Sequence, residues 1–77
     1  MKIEDFVKNF AEQFENTDIA LFKPDTRFRE LGEWSSIVAL TIMSMIDDEY
    51  DVQLKGDEMR AATTIQDLFN TVESKLA

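Results

Sequence analysis

The chain has 77 residues, the length of one small domain, and we expect a single domain over residues 1–77. Its 16 acidic and 8 basic residues give a net charge of -8, which disfavours binding to nucleic acid and favours partners with basic patches. The chain contains no cysteine and no histidine, so disulfides, thiolate or imidazole metal ligands and catalysis by either side chain are excluded. We therefore expect neither an enzyme nor a metal site.

The N-terminal residues become acidic at once, at Glu4 and Asp5, and contain no apolar signal-peptide core. The longest apolar run is too short to cross a bilayer. From these two features we expect a cytoplasmic protein without membrane insertion.

The first predicted helix covers about residues 2–15. Its apolar residues recur at helical spacing and form one stripe, which consists of Ile3, Phe6, Val7, Phe10 and Phe14. A stripe of this kind is typical of a helix that buries one face against the rest of a small protein.

The segment from residue 16 to residue 35 holds the only proline and one of the two glycines, and it shows no sustained period. A loop of this length is uncommon in a compact domain and often has a function. Residues 19–22 are compatible with a short helical turn. We expect the apolar residues of the segment to pin it across the helices; they are Ile19, Leu21, Phe22, Phe28 and Leu31.

A second helix is predicted to begin at Ser35 or Ser36 and to run to about Asp51, because serine is a favoured N-cap. Its core stripe is predicted to contain Ala39, Ile42, Met43, Ile46 and Tyr50. A second set of side chains projects to the opposite side, namely Ile37, Val38 and Met45 with Thr41, Ser44 and Asp48. We expect a partner to bury Val38 and Met45, whereas for Ile37 a partner and the long loop are equal alternatives.

A short third helix is predicted from Asp57 to Ala61 or Ala62, with Met59 and Ala62 directed inward. The last helix is predicted to follow a capping box, formed by Thr63 with Gln66 or by Thr64 with Asp67. Its apolar stripe contains Ile65, Leu68, Phe69, Val72 and Leu76. No segment shows strand alternation, so the expected fold is all-α, a bundle of three longer helices and one short helix.

Four motifs stand in a recognisable order along this chain. They are residues 22–32 (FKPDTRFRELG), Trp34-Ser35-Ser36-Ile37, residues 46–54 (IDDEYDVQL) and residues 63–68 (TTIQDL). Together they resemble the acyl carrier proteins, and the resemblance covers nearly the whole chain. It implies the four-helix acyl-carrier bundle, with a long loop between its first and second helices.

The resemblance also implies a function centred on Ser36. This residue matches the serine that receives 4′-phosphopantetheine from coenzyme A, donated by a separate phosphopantetheinyl transferase. The terminal thiol of that arm holds an acyl or related group as a thioester. The carrier, expected to be a monomer, shelters the group and presents it to acyl-loading and acyl-transferring enzymes with basic or apolar docking patches.

The residues themselves are compatible with this implied role. A phosphodiester on Ser36 would lie at the start of the second helix, where unpaired N–H groups favour an anion. Without the surrounding motifs, Ser36 would be interpreted as a plain N-cap. Ser35 is the better candidate for the cap.

Two departures from the family pattern favour a specialised carrier over the main carrier of fatty acid biosynthesis. Ser35 replaces the family's aspartate, and a neutral hydroxyl does not attract a basic residue of a general transferase. Val38 and Thr41 replace residues that are often acidic, which favours a partner that buries apolar area. An acidic patch at Asp47, Asp48 and Glu49 ends the helix. The residues expected to contact partners are Ser35, Ile37, Val38, Thr41, Met45 and Asp48.

One alternative function is a helical interaction module that carries no arm and docks a partner through the apolar face of the second helix. The missing aspartate before Ser36 is its main support. For a carrier, the cargo is compatible with fatty acyl, polyketide, aminoacyl or alanyl groups, and we favour a dedicated lipid or secondary pathway.

Overall fold

The computed structural model describes residues 1–76, and this part of the chain is an all-α bundle without a β-strand. Its four α-helices are α1 (Ile3–Ala11), α2 (Ser36–Tyr50), α3 (Gly56–Ala61) and α4 (Ile65–Leu76). The segment between α1 and α2 contains two short 3₁₀ turns, Ile19–Leu21 and Phe28–Glu30. The predicted fold class is confirmed, including the short third helix and the long connection.

Helix α1 ends at Ala11, several residues before its predicted end. The chain then tightens into a turn, because the N–H groups of Gln13 and Phe14 donate to the carbonyls of Phe10 and Ala11 at 3.2 and 3.0 Å. Phe14 is nevertheless buried as predicted, so the turn preserves the apolar stripe beyond the helix.

The apolar stripes of the helices meet in one core. Its largest fully buried side chains are Phe6, Phe10, Phe28, Ile42, Ile46, Ile65, Leu68 and Val72. The ring of Phe6 lies edge-on to Phe69, with centroids 5.6 Å apart, and the ring of Phe10 lies 5.5 Å from Phe28. Since burying one such side chain stabilises the fold by roughly 1.5–3 kcal/mol, these rings fix the helices and the connection together. Leu76, at the end of the predicted last stripe, is 48% exposed.

The start of α4 joins the long connection to the bundle. The Thr64 hydroxyl accepts from the N–H of Asp67 at 3.1 Å, and the Asp67 carboxylate accepts from the N–H of Thr64 at 3.0 Å. This is the second of the two predicted capping boxes. The next N–H groups of α4, those of Ile65 and Gln66, donate to loop carbonyls of Thr26 and Pro24, so the helix start is fully satisfied.

The connection is pinned by fewer of its apolar residues than predicted. Phe22 and Phe28 are buried and Leu31 is partly buried, but Ile19 and Leu21 are 67% and 56% exposed. The prediction for Ile19 and Leu21 is wrong, because the neighbouring Phe22 is the residue that packs into the core, with its ring centroid 4.9 Å from that of Phe14.

Within residues 1–76 the longest helix, α2, has 15 residues. None of the described helices combines the length and the apolar character that a membrane span requires.

Candidate functional site

The start of α2 separates the roles of its two serines. Ser35 is the N-cap, and its hydroxyl accepts from the N–H of Val38 at 3.2 Å. Ser36 is the first helical residue and is exposed to solvent. Because Ser35 supplies the cap, as predicted, the Ser36 hydroxyl is not needed to start the helix. The N–H groups of Ser36 and Ile37 lie in the first turn, where a bound anion is favoured.

The Glu33 carboxylate, close to the end of the long connection and just before Ser35 and Ser36, is hydrogen-bonded to residues at the start of that connection. It accepts hydrogen bonds from the N–H of Glu15 at 2.8 Å, the N–H of Asn16 at 3.0 Å and the hydroxyl of Thr17 at 2.7 Å. The Thr17 hydroxyl and then these N–H groups lower the pKa of Glu33. This clamp holds the residue from which the chain turns into Trp34, Ser35 and Ser36.

A loss of stability is expected from the Glu33 clamp as the pH falls below the ordinary pKa of a glutamate carboxyl. Because the folded-state pKa of Glu33 is lowered, its contribution is present above the unfolded pKa and is lost as the pH falls through the folded value. Glu33→Gln should flatten this part of the pH dependence of the free energy of unfolding, measured by urea titration across the acidic range. Glu30→Gln, at an exposed carboxylate outside the clamp, is the control for the substitution itself. Identical slopes in the parent and in Glu33→Gln would contradict the clamp.

Trp34 anchors the entry to α2. Its ring centroid lies 4.9 Å from that of Phe28 and 6.4 Å from that of Phe14. The indole is partly buried against the core, so the backbone beside Ser36 is held by packing on one side and by Glu33 on the other.

A cavity of about 340 Å³ opens beside Ser36, between α2 and α3. Its walls are mostly apolar, and two arginine side chains reach it. The lining residues are Arg29, Trp34, Ser36, Ala39, Leu40, Met43, Gly56, Met59 and Arg60. A second cavity, of about 520 Å³, shares Leu40 and Met43 with the first and is otherwise lined by Ser44, Asp47, Gln53 and Leu54. The two cavities therefore flank one face of α2.

The exposed face of α2 differs from the predicted one. Ile37 is 74% exposed and Thr41 is exposed, which leaves both side chains accessible to a partner, whereas Val38 is partly buried against the core. Met45 is only 7% exposed and belongs to the core, so its predicted contact with a partner is wrong. Leu40, which the sequence interpretation left out, is 63% exposed.

Helical geometry explains the error at Met45. Residues seven apart are separated by about two helical turns, so Met45 and Val38 lie on the same side of α2. Ile42, between them in the sequence, lies on that side as well. The core stripe of α2 is therefore wider than the predicted one and includes Val38 and Met45. The face left to solvent follows Ile37, Leu40, Ser44 and Asp48 instead.

The far end of α2 is acidic and exposed at Asp47, Asp48 and Glu49, as the sequence indicates. The helix ends at Tyr50, and its C-cap, Asp51, adopts the left-handed conformation with a φ of 55°. Among residues 1–76, no three acidic side chains converge closely enough to hold a metal ion.

This geometry fits a phosphopantetheine arm: an exposed serine begins a helix, two backbone N–H groups lie in the same turn, and an apolar cavity adjoins it. A small helical bundle of this design is a carrier domain. A family model described as the phosphopantetheine attachment site matches residues 5–72, and the chain belongs to this family. Its members bind 4′-phosphopantetheine covalently and are carriers rather than enzymes. No curated protein and no solved structure was found to match the chain.

Proposed function

We propose that Ser36 carries the 4′-phosphopantetheine arm and that the protein delivers a thioester-linked acyl or related group to partner enzymes. The observation that carries this proposal is the exposure of Ser36 at the first position of α2, beside a cap that Ser35 already supplies. When bound, the arm supplies a terminal thiol, which this cysteine-free chain lacks.

The start of α2 suits the phosphate of the arm. The N–H of Val38 is taken by the Ser35 hydroxyl, and the N–H of Ala39 donates to the Ser35 carbonyl at 2.9 Å. The N–H groups of Ser36 and Ile37 remain in the first turn, at the positive end of the helix dipole. They can therefore stabilise the phosphodiester without disturbing the cap.

Partner enzymes are proposed to dock on the exposed face of α2, which we call the α2 face; it consists of Ser35, Ile37, Leu40, Thr41, Ser44 and Asp48. Near Ser36 this face is apolar, with Ile37 and Leu40 standing largely free of the core. At its far end Asp48 is acidic. A transferase or an acyl-handling enzyme with an apolar patch beside a basic one would be complementary to it.

The chemistry of the α2 face supports a dedicated pathway rather than the main route of fatty acid biosynthesis. Ser35 is neutral where an acidic residue would attract a basic partner, and Ile37 and Leu40 provide apolar area instead. We further propose that the carrier works as a cytoplasmic monomer, because its net charge of -8 opposes self-association.

Incubation with coenzyme A and a permissive phosphopantetheinyl transferase is expected to add one phosphopantetheine to the protein, measured by intact mass. Ser36→Ala should abolish the gain, because no other residue takes the place of its hydroxyl. Ser74→Ala, at an exposed serine on α4 outside the α2 face, is the matched control and should be modified like the parent.

Two outcomes would contradict the proposal: no mass gain with any transferase tried, or the same gain in Ser36→Ala as in the parent. The alternative of an interaction module without an arm predicts that Ser36→Ala retains full activity in the host. The carrier proposal predicts that Ser36→Ala loses it.

A further inference from the structure

The cavity beside Ser36 has a charge opposite to that of the protein. The chain carries 16 acidic residues against 8 basic ones, yet two of its three arginines, Arg29 and Arg60, line this cavity. Within residues 1–76, none of the residues that line it is acidic. The cavity is therefore a local basic site in a strongly acidic molecule.

Arg29 is held in place without using up its charge. Its Nη1 donates to the carbonyl of Met59 at 3.0 Å, and its guanidinium lies 5.3 Å from the centroid of the Phe28 ring. A guanidinium has five N–H donors, so most of those of Arg29 stay available. The hydrogen bond and the ring contact orient the group in advance, which lowers the entropy lost when an anion binds.

Arg60 is placed by the glycine at the start of α3. A Cβ atom at Gly56 would lie 3.2 Å from Nη1 of Arg60, so the guanidinium packs closely against the glycine. The acidic neighbour Glu58 does not neutralise it, since Glu58 pairs with Lys75 of α4 at 2.9 Å. Arg60 thus lies back along α3, at the wall of the cavity that also contains Gly56.

We propose that this cavity selects a cargo with an apolar chain and a carboxylate at its free end, a dicarboxylic half-thioester. The chain would lie against Trp34, Met43 and Met59, and the carboxylate would pair with Arg29 and Arg60. This inference rests on the proposed attachment of the arm at Ser36. Charge complementarity carries it, because guanidinium groups bind carboxylates through parallel, charge-assisted hydrogen bonds.

The phosphate of the arm is a second anion near this cavity, but it has partners of its own. It would be attached to α2, where the N–H groups of Ser36 and Ile37 can stabilise it. Arg29 belongs to the connection and Arg60 to α3, so they form a wall that α2 does not provide. The experiment therefore compares the arm alone with the loaded arm.

The test uses the full chain loaded on its arm with an adipoyl or a hexanoyl group, which have the same number of carbons. The rate of thioester cleavage by hydroxylamine is divided by that of the same thioester on free pantetheine, which removes differences in intrinsic reactivity. We expect the adipoyl group to be protected about fivefold better than the hexanoyl group, the scale of a solvent-accessible ion pair. High salt should reduce this difference.

Variants assign the effect to the two arginines. Arg29→Gln and Arg60→Gln should each lower the adipoyl advantage, and together they should remove it. Arg27→Gln is the matched control, because Arg27 is exposed, pairs with Glu30 at 3.7 Å and does not line the cavity. Gly56→Ala should act like a milder Arg60→Gln, since the new Cβ would shift the Arg60 guanidinium slightly from its position at the cavity wall. Thermal unfolding of each variant shows that it is folded.

Trp34 supplies an independent measurement, because it is the only tryptophan and lines the cavity. Its emission should change on adipoyl loading and should return toward that of the unloaded arm in the double arginine variant. Equal protection of the two cargoes would overturn the inference. So would an arginine-dependent change already present in the unloaded arm, which would assign the arginines to the phosphate. Failure of Ser36 to accept the arm would instead refute the proposed function and this inference with it.

Discussion

Ile37→Asp is expected to lower kcat/KM for phosphopantetheinyl transfer to this protein about 10- to 100-fold without unfolding it. Ile37 is 74% exposed, stands next to Ser36 and does not line the cavity between α2 and α3. An apolar side chain of this size contributes roughly 1.5–3 kcal/mol when a partner buries it, and this range corresponds to the expected loss.

The fold should tolerate this substitution because aspartate is favourable in the first turn of a helix. A lower rate therefore reports docking rather than stability. The matched control is Ile19→Asp, which places the same change on a residue that is 67% exposed but lies in the first 3₁₀ turn of the connection. Ile19→Asp should be modified at the parent rate.

The salt dependence of the transfer rate distinguishes a partner that docks through apolar contacts from one that is attracted by charge. If the partner recognised the start of α2 through a basic patch, Ile37→Asp would raise the rate at low ionic strength, because electrostatic steering acts mainly on association. An increase of that kind would contradict the apolar docking proposed for this end of the α2 face. It would leave the attachment at Ser36 untouched.

The helices could be predicted from the sequence because each helix is marked by patterns among residues that are close in the sequence. The stripe from Ile3 to Phe14 and the pairing of Thr64 with Asp67 are encoded within one or a few turns. The same holds for Ser35 as the cap of α2. Each of these features follows from spacing and from the hydrogen-bonding needs of a helix start.

The parts of the site that could not be predicted depend on contacts between distant residues. The Glu33 carboxylate reaches Thr17, which lies 16 residues away, and no local motif marks that pair. Arg29 meets the carbonyl of Met59 across 30 residues, so the basic wall of the cavity exists only after folding. In the same way, Phe22 takes the buried position and leaves Ile19 and Leu21 outside.

In helix α2 the spacing of the apolar residues does not identify a single buried face. Apolar residues occur nearly all round it, so more than one stripe can be drawn through Ile42 and Ile46. The packing of the other helices, rather than the sequence of α2, decides that the stripe widens toward Met45 and leaves Leu40 in solvent.

Met45→Ala is accordingly expected to lower the free energy of unfolding by about 2–5 kcal/mol, because it removes a buried side chain and leaves a cavity. Small domains are only about 5–15 kcal/mol more stable than their unfolded chains, so this loss is a large part of the total. Urea denaturation followed by circular dichroism measures it. Leu40→Ala, five residues earlier on the same helix, is the control and should change the free energy of unfolding by about 0.5 kcal/mol or less.

The variants Met45→Ala and Leu40→Ala also distinguish an effect on stability from an effect on partner docking. Leu40→Ala should remain as stable as the parent but weaken transfer to a partner that docks on the α2 face, where Leu40 is exposed. Met45→Ala, measured under conditions in which it stays folded, should accept the arm at nearly the parent rate, because its side chain is not available to a partner. The reverse assignment, with Met45→Ala neutral to stability and deficient in transfer, would return Met45 to the interface and contradict the packing of α2.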